Sequence, residues 1–523
     1  MRRSHTLDRR SFLQYAAGAA AATTLRPAPA TVPRAPQAFA LEEATIASLH
    51  EGLRAGRYTT RSLCEAYLAR IEAIDRSGPT LKAVLETNPD ALAIADRLDA
   101  ERKARRALGP LHGIPVLIKD NIATADRMMT TAGSLALAGV TPPRDSVVAE
   151  RLRAAGAVIL GKTNLSEWAN FRGNQSSSGW SGRGGQTKNP YALDRNPCGS
   201  SSGTGAAIAA SLAAVGVGTE TDGSIVCPSS ACSLVGVKPT LGLIGGAGII
   251  PIAHSQDTAG PMCRTVTDAA ILLGALAGKD YAASLDPNGL KGARIGVARK
   301  KCFGYSPEAD ALVEAAIDVL RRQGAIIVDP ADIPHMGEYD DSEFAVLLYE
   351  FKTDLNAYLA AWAPRSPIHT LADLIAFNEA NKTKELPYFG QEILIQAQEK
   401  GPLTDQAYID ALEKDRRLSR TEGLDVVFAQ NTLDAIIAPT GSPPWPTDLV
   451  NGDHFLGASS TPAAVAGYPS VSVPVGYSFG LPVGMSFIGR ASSEAMLLKL
   501  AYAYEQAAQP RRAPRFLATA ELS

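Results

Sequence analysis

The sequence contains no C-x-x-C motif, and its six cysteines are scattered over 523 residues. This spacing argues against a structural zinc site, which usually needs closely spaced cysteine pairs. It also excludes the dense disulfide framework of small secreted domains. Some of the six could pair in an exported protein, and the sequence leaves that pairing open for Cys64, Cys198, Cys227, Cys232, Cys263 and Cys302.

Blocks of lysine or arginine are also missing. The formal net charge is −2, and residues 1–40 carry six arginines and one aspartate, so the remaining chain has a net charge of −7. Such a mildly acidic protein has no electrostatic reason to bind nucleic acid or an anionic membrane surface. The apolar run near the N-terminus, Tyr15 to Ala22, is too short to cross a bilayer as a helix. We therefore expect no nucleic-acid partner and no stable membrane span.

Residues 1–40 nevertheless form a distinct segment. Arg9 and Arg10 precede an apolar pair and the short apolar run, and Ala/Pro-rich sequence follows. The segment resembles a twin-arginine export signal, with cleavage after Ala30 or Ala40. We expect an exported protein, periplasmic or secreted, and the alternative is a disordered basic arm.

The rest of the chain alternates between helical and strand patterns. Amphipathic helical stretches end at Gly156 and Gly324, and a short apolar run follows each glycine directly. Repetition of this unit predicts an α/β protein with a largely buried sheet. Residues 331–430 are more charged and aromatic and show helical spacing, so we interpret them as an embedded helical region beside the substrate pocket.

The most unusual stretch lies between Pro197 and Pro228. It has a Ser/Gly turn, an apolar run from Ala206 to Val217 and a second Gly-Ser turn, 223–224. Because the run is apolar all round, we predict one buried helix between two serine-bearing turns. A turn held against a buried helix can direct a hydroxyl and several backbone N–H groups to one point.

Three chemical interpretations of this stretch compete. A phosphate-binding loop would need a P-loop lysine or a G-x-G-x-x-G, and neither is present. A nucleophile elbow with Ser201 matches G-x-S-x-G, but the preceding residues are polar instead of an apolar strand. The elbow would also need a histidine base, and each candidate has an ordinary loop or helix context: His254, His335, His369 and His454. The third interpretation joins Ser200 and Ser224 with Lys119.

Lys119 follows the apolar residues Val116, Leu117 and Ile118, as though it ended a buried strand. A lysine is seldom fully buried, so the ordinary interpretation is that it reaches solvent or pairs with Asp120. The alternative is a Ser-Ser-Lys proton relay.

Residues 111–122, 195–205 and 218–228 resemble the three defining segments of the amidase signature family, and 256–261 and 480–490 also match its pattern. The resemblance covers 41–512, and T-E-T-D-G-S-I-V-C-P is similar in particular to bacterial peptide amidases. It implies a single large α/β/α domain, residues 41–523, with a mixed, mostly buried central β-sheet covered by helices on both faces.

The resemblance also implies roles for the residues. Ser224 would be the nucleophile, Ser200 would pass its proton to a neutral Lys119, and Ser201 and Gly199 would support them, with a cis peptide bond at Gly199-Ser200. The oxyanion hole would be formed by backbone N–H groups, those of Thr221, Asp222, Gly223 and Ser224. No metal or organic cofactor is implied.

The implied reaction is hydrolysis of a linear amide through an acyl-enzyme, with water as the second substrate. The favoured substrates are C-terminal peptide amides or related linear carboxamides. Alternatives are an aryl-acylamide, fatty-amide or carbamate hydrolase, an α/β-hydrolase-type esterase or an amidotransferase A subunit. Glu220, Asp222 and Val226 depart from the common family pattern, which affects the substrate subgroup and leaves the three relay residues intact. The oligomeric state is not predicted.

Overall fold

A large mixed β-sheet forms the centre of the protein. The computed structural model describes residues 40–104 and 108–522. Among these residues, eleven strands form one open sheet in the order β1-β3-β2-β6-β8-β7-β12-β13-β11-β9-β10, and β4 and β5 form a separate ribbon. The strands are Val84–Thr87 (β1), Pro115–Lys119 (β2), Val158–Thr163 (β3), Trp180–Ser181 (β4), Gly185–Gln186 (β5), Val215–Glu220 (β6), Val235–Lys238 (β7), Thr258–Cys263 (β8), Arg294–Val297 (β9), Ile326–Val328 (β10), Ala435–Pro439 (β11), Ser470–Ser478 (β12) and Leu481–Ile488 (β13).

Helices follow most of these strands. The α-helices are Ile46–Arg54 (α1), Thr60–Arg70 (α2), Ala91–Lys103 (α3), Val147–Ala154 (α4), Ser202–Ala209 (α5), Val226–Ala231 (α6), Val266–Ala277 (α7), Pro307–Arg322 (α8), Asp340–Trp362 (α9), Leu371–Ala380 (α10), Lys382–Glu385 (α11), Glu392–Gln398 (α12), Gln406–Arg416 (α13), Asp425–Asn431 (α14), Thr461–Ala466 (α15) and Glu494–Ala508 (α16). Short 3-10 or π segments occupy Ile71–Ser77, Leu135–Leu137, Glu167–Asn170, Ala282–Ser284 and Arg417–Leu424.

Local sequence explains where several helices begin. The side chains of Thr59, Ser146, Thr265 and Ser306 each accept a hydrogen bond from the backbone N–H three residues later. This satisfies one of the N–H groups that a helix start leaves without a partner. The helices α2, α4, α7 and α8 therefore begin where short hydroxyl residues precede an amphipathic stretch.

The central strands are buried along their whole length. Every residue of β2, β3, β6, β7 and β8 is buried, as is every residue of β11 and β13. Since successive side chains of a strand point to opposite faces, full burial requires that both faces of the sheet are covered. The predicted fold class, α/β with a mixed and mostly buried central sheet, is confirmed.

The region predicted to be an embedded helical insertion contains helices α9 to α14. Between β10 and β11 the described chain forms no strand, and both β10 and β11 pair with β9 in parallel. The chain therefore leaves the sheet beside β9 and returns on the other side of the same strand.

The predicted helix from Ala206 to Val217 is wrong in its second half. Helix α5 ends at Ala209, and Val215 begins β6, which pairs in parallel with β2. Between them Ser211 adopts a left-handed conformation with φ of 55°, which ends the helix. A run that is apolar all round suits a buried helix and a buried strand equally, so periodicity could not locate this boundary.

Two further observations concern membrane crossing and export. Within the described residues, no helix has the length and apolar character needed to cross a bilayer. Residues 1–39, which carry nearly all of the predicted export signal, lie outside the described residues.

Candidate active site

Lys119 and Thr219 lie side by side because they end two neighbouring strands. Strands β2 and β6 are parallel, with Ile118 opposite Val217. The carboxyl ends of parallel strands meet at one edge of a sheet, which is where α/β proteins commonly bind ligands. Ser200 reaches the same edge from the loop that precedes α5.

The Lys119 side chain is fully buried and contacts two residues. Its Nζ lies 2.8 Å from Ser200 Oγ, 2.9 Å from Thr219 Oγ1 and 3.2 Å from the Thr219 carbonyl oxygen. Burial lowers the pKa of Lys119 to about 7, although the carboxylates of Asp257 and Glu220 oppose this shift. A lysine with this pKa is partly neutral near pH 7, and a neutral amine can accept a proton from the Ser200 hydroxyl.

The peptide groups before and after Ser200 fix its position. The peptide bond between Gly199 and Ser200 is cis, as the family resemblance implied. The Ser200 carbonyl oxygen accepts a hydrogen bond from the Ser166 N–H at 3.0 Å. A Cβ added to Gly199 would lie 2.2 Å from Ser166 Oγ, so the loop leaves no room for a side chain at this position. Gly199 therefore permits the close packing that places Ser200 beside Lys119.

Ser201 is buried behind this contact. Its hydroxyl donates to the Thr219 carbonyl oxygen at 3.0 Å and accepts from the Thr219 N–H at 3.2 Å. The Ser201 N–H donates to the Ser224 carbonyl oxygen at 3.1 Å. Ser201 thus connects strand β6 and both serine turns, and it does not line the cavity that Ser200 and Ser224 share. The geometry does not support Ser201 as an elbow nucleophile.

The second turn, Thr221 to Ser224, presents backbone N–H groups to the site. Within the described part of the chain, none of its four N–H groups donates to another protein group. Gly223 adopts a φ of 75°, and an added Cβ would lie 3.1 Å from Ser460 Oγ. Glycine adopts this left-handed conformation readily, whereas other residues are strained in it. The free N–H groups could stabilise negative charge on a bound oxygen atom.

Contacts from three directions fix this turn. Thr221 Oγ1 donates to Asp257 at 2.6 Å, and the Gln256 amide donates to the Thr221 carbonyl oxygen at 3.3 Å. At the other end of the turn, one carboxylate oxygen of Glu220 accepts from the N–H groups of Ile225 and Val226, at 2.7 and 3.0 Å. The turn is therefore anchored before and after Ser224.

Ser200 and Ser224 line one cavity of about 550 Å³. No hydrogen bond joins their hydroxyls, although both face this space. Apolar side chains form part of its wall: Phe171, Ile252, Leu347, Trp445 and Phe455. A disulfide between Cys198 and Cys227, with the two Cα atoms 5.9 Å apart, forms another part. No histidine lies among the described residues that line the cavity, which removes the base that an elbow serine would need.

Comparison with known proteins agrees with this geometry. A sequence model of the amidase family matches residues 62–498. The chain belongs to the amidase signature family. Native peptide amidase from Stenotrophomonas maltophilia has a similar structure, with a TM-score of 0.88 and 51% sequence identity over 92% of this chain and 100% of that one. A structure of peptide amidase in complex with the competitive inhibitor chymostatin aligns equally well, with a TM-score of 0.88, 51% identity and coverage of 91% and 99%.

Sequence relatives include both hydrolases and amidotransferase subunits. A probable amidase of Arabidopsis thaliana is 43% identical over 92% of this chain and 93% of that protein. The A subunit of the glutamyl-tRNA(Gln) amidotransferase of Chloroflexus aurantiacus is 35% identical over 89% of this chain and 97% of that protein. Together with the structural neighbours, these relatives show an amidase that hydrolyses carbon-nitrogen bonds, as the sequence predicted.

The sequence did not indicate the individual roles of several residues that build this amidase site. Thr219 contacts Lys119 and also accepts from the Asn121 amide at 2.9 Å. Asp257 belongs to a segment that matches the family, yet its contact with Thr221 is visible only in the structure. Glu220 departs from the family pattern, and sequence reasoning assigns it no role. Its position directly before a turn and a helix start is the signal that could have indicated a cap.

The cysteine pairing was also left open by the sequence, and the structure resolves it. Cys198 and Cys227 form a disulfide, whereas Cys64, Cys232, Cys263 and Cys302 are free and buried. The 29-residue separation of the bonded pair gave no indication of this contact.

One group of side chains in the described ranges has the composition of a metal site. His254, Glu350 and Asp354 place their ligand atoms within 4.8 Å of one another. His254 Nδ1 lies 2.8 Å from Asp354, and Nε2 lies 3.4 Å from Glu350. The hydrogen bond with Asp354 raises the pKa of His254. Both imidazole nitrogens face carboxylates, so contacts within the group already account for its composition.

Proposed function

We propose that this amidase removes the C-terminal amide group of peptides or of related linear carboxamides, with Lys119, Ser200 and Ser224 as its catalytic residues. The observation that carries the proposal is the buried contact of 2.8 Å between Lys119 Nζ and Ser200 Oγ beside a cavity shared with Ser224. Similarity to peptide amidase supports the choice of substrate.

The reaction begins when Ser224 Oγ attacks the amide carbonyl carbon. Ser200 accepts the proton from Ser224 and gives its own to neutral Lys119, because a serine hydroxyl is a weak nucleophile until a base removes its proton. The hydroxyls of Ser200 and Ser224 must approach each other when substrate binds, since they share no hydrogen bond in the structure. Catalytic hydrogen bonds often shorten only in the substrate complex.

The turn from Thr221 to Ser224 would stabilise the tetrahedral intermediate. Its free N–H groups supply donors for the oxyanion, and the anchoring contacts of Thr221 and Glu220 keep them in place. Protonation of the leaving nitrogen by the relay then releases ammonia. Water next attacks the acyl-enzyme while Ser200 and Lys119 take up its proton, and they return a proton to Ser224 Oγ as the carboxylic acid leaves. No metal ion or organic cofactor is required by these steps.

A substrate panel tests the proposal. Purified protein is assayed with N-acylated peptide amides, anilides and carbamates, and we expect the highest kcat/KM for peptide amides, measured as ammonia release. Ser224→Ala should lower kcat by about a thousandfold or more, as removal of other serine nucleophiles does.

Ser229→Ala provides a matched control for that variant. Ser229 lies in α6 shortly after the turn, and its buried hydroxyl has no hydrogen-bond partner in the described chain. We expect Ser229→Ala to retain turnover within about twofold, because it loses no polar contact. Full activity of Ser224→Ala would contradict the mechanism, and preference for anilides or carbamates would contradict the substrate.

An amidotransferase subunit is the second candidate function, because such subunits are 35% identical to this chain. It would use the same residues and deliver ammonia to a partner protein. Release of free ammonia by the isolated chain at a rate that no partner increases would favour the hydrolase.

We also propose that the enzyme is exported through its N-terminal signal to an oxidising compartment. The disulfide supports this, since disulfides persist mainly outside the cytosol. Arg9→Lys combined with Arg10→Lys should retain the protein in the cytoplasm of a bacterium with twin-arginine export, as measured by cell fractionation. Arg2→Lys with Arg3→Lys is the matched control, and equal export of both variants would contradict the proposed signal.

A further inference from the structure

The two serine turns are connected by few direct bonds. The Ser201 N–H donates to the Ser224 carbonyl oxygen at 3.1 Å. The Ser201 hydroxyl also donates to the Thr219 carbonyl oxygen and accepts from the Thr219 N–H, two residues before the second turn. In the described chain, however, no hydrogen bond joins residues 198–200 to residues 221–227. The distance between the Ser200 and Ser224 hydroxyls therefore depends on whatever fixes one turn relative to the other.

The Cys198–Cys227 disulfide joins the two serine turns covalently. Cys198 lies two residues before Ser200, and Cys227 lies three residues after Ser224, near the start of α6. The Cys227 N–H also donates to the Gly223 carbonyl oxygen at 2.8 Å, which couples the sulfur-bearing residue directly to the second turn. Both cysteines line the cavity.

We propose that Cys198 and Cys227 are positioning residues for catalysis, and that their disulfide keeps the two turns close enough for the Ser200 and Ser224 hydroxyls to approach each other when substrate binds. Reduction of this bond should slow turnover in an enzyme that remains folded. The proposal rests on the catalytic roles proposed above for the two serines, and it adds that a covalent bond between their turns helps to position them.

Reduction is a two-electron step with a dithiol as the reductant. One thiolate of the dithiol attacks a sulfur of the pair, the Cys198–Cys227 bond breaks, and the departing thiolate takes up a proton. The second thiol of the reagent then displaces the remaining cysteine, so the protein gains two thiols and the reagent becomes a cyclic disulfide. Cys227 is partly exposed in the cavity, so a small dithiol can reach the bond.

The remaining cysteines are unlike this pair. Cys64 and Cys302 are fully buried, and burial raises the pKa of each thiol to about 12. Burial also raises the pKa of Cys232 and Cys263. Because the thiolate is the reactive form, these four thiols should not react with a thiol reagent in the folded protein. Thiol counting therefore reports the state of one bond.

The experiment compares the oxidised full chain with the same protein after treatment with dithiothreitol. We expect two thiols per chain to become reactive, kcat on a peptide amide to fall by about tenfold or more, and KM to change by less than about twofold. The circular dichroism spectrum should not change, and reoxidation with glutathione disulfide should restore kcat. Cys198→Ala combined with Cys227→Ala should have the low kcat and no response to the dithiol.

Cys302→Ala is the matched control, because Cys302 is a free cysteine in a different part of the core. It should respond to dithiothreitol as the wild type does. An unchanged kcat after complete reduction would overturn the proposal, as would a loss of kcat that only follows unfolding in the circular dichroism spectrum. If the double variant does not fold, reduction of the wild type decides the question. Ser224→Ala, assayed in the oxidised form, separates failure of this proposal from failure of the mechanism itself.

Discussion

Lys119 and Lys162 occupy similar places and have different surroundings. Both are fully buried near the ends of the neighbouring parallel strands β2 and β3, and burial lowers the pKa of Lys119 to about 7 and that of Lys162 to about 8. In the strand register Ile118 lies opposite Lys162, so the two lysines point to opposite faces of the sheet.

Their hydrogen-bond partners distinguish them. Lys162 Nζ lies 2.6 Å from the Ile122 carbonyl oxygen and 2.8 Å from Thr130 Oγ1, away from the cavity. Lys119 contacts the hydroxyl of Ser200, which itself lines the cavity with Ser224. A lowered pKa is therefore insufficient for a catalytic base, because the amine also needs a proton donor that reaches the substrate.

The largest expected effect comes from removing each amine in turn. Lys119→Met keeps most of the side-chain volume and should lower kcat by about a hundredfold to ten-thousandfold, the usual contribution of general acid-base catalysis. Lys162→Met should retain kcat within about threefold and unfold at a lower temperature, because two buried acceptors lose their donor. Steady-state kinetics with thermal melts checks both variants, and equal losses of kcat would remove the distinction between the two lysines.

The pH dependence of kcat/KM should reflect the titration of Lys119 and not that of Lys162. We expect kcat/KM to fall below pH about 7 as Lys119 becomes protonated, and to level off above it. Asp257 favours protonated Lys119, but burial raises the pKa of Asp257 itself to about 7, so this carboxyl group carries only part of its charge in the same range. In Asp257→Asn the fall should therefore remain and move slightly to lower pH. A pH-rate profile of both proteins measures this, and loss of the fall in Asp257→Asn would assign the titration to Asp257.

Both lysines should contribute to the pH dependence of the free energy of unfolding. In the unfolded chain each lysine keeps its ordinary pKa of 10.5, whereas in the folded protein the pKa is about 7 for Lys119 and about 8 for Lys162. The unfolded state therefore binds more protons between these values and 10.5, and the free energy of unfolding should rise with pH in that window. Denaturant titrations should show a weaker rise in Lys119→Met and in Lys162→Met alike.

The smallest effect concerns the hydroxyl partners of the two lysines. Thr219→Val removes the oxygen that lies 2.9 Å from Lys119 Nζ and should lower kcat by about threefold to tenfold, the equivalent of one hydrogen bond. Thr130→Val removes the corresponding partner of Lys162 and should leave kcat unchanged. Turnover measurements on both variants check this, and an equal loss in Thr130→Val would show that Lys162 also affects the site.

The two lysines also show how much of the fold and of the site could be predicted from the sequence. Helix-glycine-strand units predicted the buried sheet, because periodicity and glycine stops are local signals. The same local signal describes Lys119, Lys162 and Lys238, each of which lies at or near the end of a short apolar strand. Only the family resemblance singled out Lys119.

The sequence did not show which residues far apart in the chain come into contact in the fold. Ser200 lies 81 residues from Lys119 in the chain, and Thr219 lies 100 residues away. The end of α5 and the cysteine pairing depended on contacts of the same kind. The roles of the predicted catalytic residues stay predictions until the variants above are measured.

The attachment of the helical region between β10 and β11 has a consequence for protein engineering. Its two ends join strands that both flank β9, so they lie about 10 Å apart at the sheet spacing. Leu347, on helix α9 of this region, forms part of the cavity wall, whereas Lys119, Ser200 and Ser224 belong to other elements. Glu343 of the same helix accepts a hydrogen bond from the Gln256 amide, which also donates to the Thr221 carbonyl oxygen of the second turn. Replacing the segment with one from another family member while keeping Glu343 would therefore alter the pocket and leave the reacting groups in place, which makes the segment a natural unit for chimeric enzymes.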